Sequence, residues 1–266
     1  MSDIFIIIAL GLLGVCLGSF ANAAIWRLRV KKDIVHDRSE CTHCHHKLAA
    51  ADLIPVVSWL MLRGKCRYCH KKIEDSPLVE LGVAAYFILS YLLWPVVLET
   101  NYAIFDFSLW LACGVGLAIL FVYDLKWYLL PDLVVWPLVV IGGVDFIARA
   151  VNEHLSPAQF VAELGLSLLV VAGFYYALYV LSRQKWVGLG DVKLGIFIGL
   201  ALGWQAALVS VFLANLIGCL VVVPGLVSGK LRRNSQVPFG PFLIVGFIVA
   251  GLYGQQLLGW YLNLFI

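Results

Sequence analysis

Two aspartates and four cysteines carry the chemistry that this chain is equipped to do. Asp124 ends the string FVYD, and Asp191 follows 67 positions later in GLGDVKLG. Paired carboxylates hydrolyse an amide without a metal. An ionised one deprotonates water while a protonated partner polarises the scissile carbonyl, because like charges in close contact share one proton. Gly188 and Gly190 let backbone or substrate approach Asp191 and let the chain bend into a helix. The helix macrodipole favours negative charge at Asp191, in a first turn, and disfavours it at Asp124, in a last turn. Their environments thus differ as an acid and a base require. Asp132, in LLPD, competes for a place in the pair; with Pro131 fixing the helix entry it reads as an N-cap or as support, alongside Lys193. The plainer alternative is that the acids solvate helix ends or relay protons.

The cysteines form CTHC and CRYC, with Cys41, Cys44, Cys66 and Cys69 in two C-x2-C knuckles 21 residues apart. Each such knuckle turns two sulfurs toward one tetrahedral ion, and four thiolates close the shell, so the metal is zinc in a structural role. Two disulfides are the competing reading, disfavoured in a reducing compartment. His43, His45, His46 and His70 stand beside the knuckles as possible substitutes. Cys16, Cys113 and Cys219 fall in apolar runs and are expected to be small buried residues.

Positioning these groups falls to a membrane protein. Of the 266 residues, 62% are apolar and 13% charged, and mean hydropathy is +0.93, which excludes a soluble domain, a disordered chain, a coiled coil, collagen and a small disulfide scaffold. Apolar runs near 4–26, 79–98, 105–123, 133–148, 159–181, 192–204, 206–227 and 241–264 are candidates to cross a hydrocarbon core of about 30 Å. The expected architecture is an all-α polytopic membrane protein of about eight transmembrane helices, with a small zinc-binding cytoplasmic domain between helices 1 and 2. Residues 1–26 form the first helix, retained because no basic n-region or A-x-A-like exit marks a signal peptide. Residues 27–78 form the zinc domain, and 79–266 the remaining membrane domain.

Eleven of the 19 Lys and Arg residues lie between Arg27 and Lys72. With that segment in the cytoplasm, alternation puts Lys126, Arg183, Lys185, Lys193, Lys230, Arg232 and Arg233 inside as well, and leaves only Arg149 outside. Asp124 and Asp191 then share the cytoplasmic membrane edge. Asp106, Asp145 and Glu163 fall at outer helix ends, where solvation gives them a structural role. The basic loop faces anionic lipid headgroups or only sets topology.

The chain resembles the type IV prepilin peptidases, or bifunctional leader peptidase/N-methyltransferases, through GSFANAAIWRL (18–28), RSECTHC (38–44), LIPVVSWLMLRGKCRYC (53–69), PLVEL (77–81), DLKWYLLPD (124–132) and GLGDVKL (188–194). The Asp pair is also similar to that of the presenilin-type GxGD intramembrane aspartyl proteases. The resemblance implies a multi-pass enzyme of the bacterial inner membrane, active at its cytoplasmic face. It would remove the short basic leader of a type IV prepilin or pseudopilin after a glycine, with Asp124 and Asp191 as catalytic residues. It further implies N-methylation of the new terminus by S-adenosyl-L-methionine, with Gly18, Ser19, Asn22, Arg27 and Glu80 at the matching positions. Precursor and membrane lipid are the implied partners, and no nucleic acid is expected. The chain departs from the family pattern at Arg29, in CTHC, at Leu53, in the short loop before Cys41 and at Asp75-Ser76-Pro77. Alternatives are a peptidase without methyltransferase activity, a thiol–disulfide carrier using the C-x2-C pairs, and a proton-coupled transporter. No repeat between the halves supports the last.

Overall fold

The computed structural model describes residues 2–34, 36–73, 75–184, 186–229 and 236–263. Lys185, Lys230, Arg232 and Arg233, four of the cations assigned to the inner side, lie outside the described residues. Among the described residues the fold is helical, without strands, and six helices are long and apolar enough to cross a membrane. They are α1 (Ser2–Val30), α4 (Asn101–Trp127), α5 (Asp132–Asn152), the pair α6 (Pro157–Leu168) and α7 (Phe174–Leu181), α8 (Leu189–Val227) and α9 (Gly240–Asn263). A π-helical turn, Leu169–Gly173, joins α6 to α7. The apolar α3 (Pro77–Leu93) has 17 residues, and α2 (Val57–Met61) is a short helix in the loop after α1.

The sixth and seventh expected spans lie within α8, whose 39 residues would extend about 58 Å if straight, twice the thickness of a hydrocarbon core. Gly203 breaks it. Its φ of 72° and ψ of 165° are open to glycine and to little else, and they fall in the last turn of the first of these two spans, next to the boundary between them. The segment arriving at Gly203 leaves carbonyls without helical partners, and Arg149 of α5 answers them. Its Nη2 donates to Leu200 O at 2.9 Å and its Nη1 to Ala201 O at 3.4 Å. The expectation of about eight crossing segments is met by six long helices, the short α3 and this break.

The chain divides into two compact units, Met1–Trp94 with Gly114–Ile119, and Pro95–Cys113 with Leu120–Ile266. In the first, α1 and α3 touch backbone to backbone. A Cβ at Gly14 would lie 2.6 Å from Ala84 Cα, and one at Gly18 2.5 Å from Glu80 Cα, the close approach that small residues four apart allow. Ser76 caps α3 by accepting the Leu78 N–H, and Pro77 occupies the first turn where its missing donor costs nothing. In the second unit, Phe197, Leu194, Leu243 and Phe247 are fully buried, with the Phe247 ring 5.0 Å from those of Trp110 and Phe197. Cys113 is buried as expected, but Cys16 and Cys219 are exposed on their helices.

Candidate functional site

In the second unit, three helix ends converge on the aspartates. Asp124 occupies the last turn of α4, buried at 6% exposure, and Tyr128 closes that helix in the left-handed conformation, its N–H donating to Asp124 O at 2.8 Å. The Asp124 carboxylate reaches a different helix. Its Oδ2 accepts the N–H of Gly240, the first residue of α9, at 3.0 Å. A Cβ on Gly240 would stand 2.7 Å from that oxygen, so only glycine lets the amide come so near.

Asp191 lies in the first turn of α8, after Gly188 at the N-cap. Its Oδ2 accepts the Gly188 N–H at 3.1 Å, which satisfies a donor that the helix cannot. Leu130 joins the two sites. Built Cβ atoms on Gly190 and Gly240 would lie 3.0 Å and 3.3 Å from its side chain. The two carboxylates are near enough for their charges to act on each other. Among the described residues, Oδ1 of neither aspartate makes a hydrogen bond. Each carboxylate is therefore oriented by one backbone amide while its other oxygen remains for chemistry.

Asp132 is not an N-cap. Pro131 takes that position in extended conformation, Asp132 becomes the first helical residue, and its side chain makes no cap bond. It accepts from Lys193 Nζ at 2.6 Å instead, linking the start of α5 to that of α8. The acids expected at outer helix ends have local partners: Glu163 accepts from Trp204 Nε1 at 3.3 Å, and Asp106 and Asp145 interact with each other.

Three residues beside the dyad were not among the expected ones. Gly240 lies in PFGP, where a glycine between two prolines opens an apolar helix and marks an unpaired amide. Tyr175 is fully buried two residues past the π-helical turn and lies within reach of the Asp191 charge. Its Oη accepts from Asn215 Nδ2 at 3.3 Å, and its ring lies 5.6 Å from Phe239, the neighbour of Gly240. Asn215 was open to detection as an amide inside an apolar span.

The first unit holds the thiolates. Two turns of the same form are superposed in sequence. Cys41 O accepts from His45 N, and Cys66 O from His70 N, each at 3.0 Å. His45 and His70 both have positive φ, and backbone bridges pair Glu40 with Lys47 and Lys65 with Lys72. The four sulfurs lie within 4.8 Å of one another, and Cys41 Sγ is 3.8 Å from Cys69 Sγ. Sulfurs at about 2.3 Å from a tetrahedral zinc stand about 3.8 Å apart, so the donor set fits. None of the four is in a disulfide. Burial pushes the Cys41 thiol up, but the N–H groups of Cys44 and His43 and the Cys66 and Cys44 side chains outweigh it and bring it down to about 6. That favours the thiolate, the form that binds metal.

A cavity of about 160 Å³ lies between α1, the knuckles and the start of α3 in this unit. Ser19, Asn22, Arg27 and Glu80 line it, while Gly18 lies behind against Glu80. Three of these side chains also hold the loop. Asn22 Nδ2 donates to Ser76 O at 3.1 Å, Arg27 donates to Ile34 O and Ser39 Oγ, and Glu80 Oε2 accepts from Val56 N at 2.6 Å. That last bond steadies a β-branched residue at φ 61°, a conformation Val adopts only under constraint. The loop is drawn in further by Asp52, which accepts from Arg67 Nε at 2.6 Å and Tyr68 Oη at 3.0 Å.

Two family models match the chain in order: the bacterial peptidase A24 N-terminal domain over residues 12–94, and the type IV leader peptidase family over 111–223. The prepilin leader peptidase/N-methyltransferase of Dickeya chrysanthemi is 32% identical over 96% of this chain and 94% of its own. The Bacillus subtilis (strain 168) protein of the same description is 31% identical over 94% and 96%. No solved structure matches. With both models in register and such relatives aligned almost end to end, the chain belongs to the type IV leader peptidase family.

Proposed function

We propose that this enzyme is a membrane aspartic endopeptidase that removes the basic leader of a type IV prepilin or pseudopilin after a glycine, with Asp124 and Asp191 as its catalytic pair. One observation carries the reading: each carboxylate has Oδ2 held by a backbone N–H and Oδ1 without a hydrogen bond among the described residues, with Leu130 packed against both Gly190 and Gly240. Asp191, at a helix N-terminus, takes the role of base, and Asp124 that of acid. The ionised base removes a proton from water, and the oxygen adds to the scissile carbonyl carbon as the acid gives its proton to the carbonyl oxygen. Collapse of the tetrahedral species then breaks the C–N bond, with a proton passing to the leaving amine.

The thiolate cluster is read as a structural zinc site in a cytoplasmic domain over residues 27–78, carried between 1–26 and 79–266 in the bacterial inner membrane. That orientation rests on the concentration of cations in the loop. Lipid headgroups adjoin the loop. The new amine is then methylated, for which S-adenosyl-L-methionine supplies the methyl group when bound. Ser19, Asn22, Arg27 and Glu80 are the residues that would hold it in the cavity of the first unit, with Gly18 behind them. A peptidase without methylation is the second reading, favoured by the loop-holding bonds of Asn22, Arg27 and Glu80.

Co-expression of a pilin precursor with Asp124→Asn or Asp191→Asn tests the hydrolytic reading. Each variant should leave the precursor uncut, and normal processing by either would remove the dyad. The intact mass of the mature pilin then separates the two readings of the cavity: a methyl increment with the wild-type enzyme means both steps, and a bare amine the peptidase alone.

A further inference from the structure

The loop between α1 and α3 presents an apolar surface at a level where water is not its natural partner. Ile54, Val57, Leu60 and Met61 are 48%, 48%, 60% and 77% exposed. Their spacing places them on one side of α2 and its lead-in, while Ser58, Trp59 and Leu62, on the other side, line the cavity. Large side chains left bare in a contiguous patch mark a contact surface.

The depth of that surface follows from what its other side touches. Val56 N donates to Glu80 Oε2, in the first turn of α3, and Leu78 and Leu81 flank Glu80 at 72% and 47% exposure. On α1, the same cavity is lined by residues from Ser19 to Arg27, between 3 and 11 residues before the helix ends at Val30. At 1.5 Å per residue that reaches about 5–16 Å inward from the end of that helix. The short helix therefore lies alongside lipid-facing residues and not beyond them. Arg63 and Lys65, both exposed, follow it directly, and the nearby Asp52 is already paired with Arg67.

We propose that the Ile54–Val57–Leu60–Met61 face is an interfacial anchor. It inserts into the boundary between headgroups and acyl chains of an anionic bilayer, with Arg63 and Lys65 among the phosphates. The proposal deepens the headgroup contact read for the loop and rests on it; it does not depend on the aspartate pair.

The test is photo-crosslinking of the full chain in vesicles of phosphatidylglycerol and phosphatidylethanolamine. p-Benzoylphenylalanine is introduced as Met61→p-benzoylphenylalanine, at Arg63 or, as a control, at the exposed Lys47, and adducts are identified by mass. An acyl-chain adduct at 61, none at 47, and no change on adding a pilin precursor is the expected result. An adduct at 63 alone would keep the headgroup contact but overturn the anchor. Adducts at neither 61 nor 63 would overturn both. Replacement of the lipid adduct at 61 by a precursor adduct would make the face a substrate dock and also end the proposal.

Discussion

Gly240→Ala tests the site geometry more sharply than removal of either carboxylate. The new methyl carbon would sit 2.7 Å from Asp124 Oδ2, about 0.7 Å short of the 3.4 Å at which ordinary contact begins, with Leu130 Cδ2 and Asp124 Cγ each 3.3 Å away. A carboxylate buried at the end of its own helix cannot yield without lengthening the 3.0 Å bond from the Gly240 amide. A hydrogen bond to a charged group is worth about 1.5–3 kcal/mol. At about 1.4 kcal/mol per decade of rate, its loss lowers kcat roughly 10- to 100-fold. Because the amide orients a reacting group and does not grip substrate, KM should hold steady. The assay is cleavage of a pilin precursor by enzyme in proteoliposomes, at saturating and limiting substrate. Gly143→Ala, where a Cβ meets nothing within 4 Å, is the control and should cleave normally. Wild-type kcat in Gly240→Ala would show that Asp124 is not held in its working position by this amide.

Cys41→Ser is expected to cost the protein its metal: zinc should co-purify with the parent and be lost from the variant, as measured by mass spectrometry. Tyr175→Phe should lower kcat about tenfold and leave KM unchanged, with Asn215→Leu behaving alike, since the buried phenol is oriented by Asn215 beside Asp191. Equal loss of thermal stability without a kcat change would assign the pair to packing. Arg149→Met strips the carbonyls of Leu200 and Ala201 of their donors and should cost about 1–3 kcal/mol, read as a lower unfolding midpoint of about 2–4 °C per kcal/mol with cleavage at the permissive temperature retained.

The chemistry-bearing residues were legible for different reasons. The cysteines stood out because metal ligation constrains residue type and local spacing, and each knuckle is complete within a few residues. Asp124 and Asp191 stood out because acids are scarce in an apolar chain. What supports them was hidden by distance. The Gly240 amide reaches Asp124 across 116 positions, and neither its apolar neighbours nor any periodicity points to that contact. Of the two readings of Asp132, the N-cap fails because Pro131 can both precede a helix and cap it; once the proline takes the cap, the aspartate is released to Lys193. The break in α8 was visible only as the boundary between the apolar runs 192–204 and 206–227, and the positive φ of Gly203 falls just before it.

Arg149 bears on how the protein is made. It leaves the ribosome some 50 residues before the carbonyls of Leu200 and Ala201 that it will hold. Until α8 has been synthesised and bent at Gly203, this guanidinium has no helix end to close and must stay hydrated at the rim of α5. Docking of α5 against the break in α8 is thus a late event in biogenesis, and both halves of α8 must already be formed when it happens. Arg149, which ties α5 to the carbonyls before the break in α8, serves here as the latch of that docking.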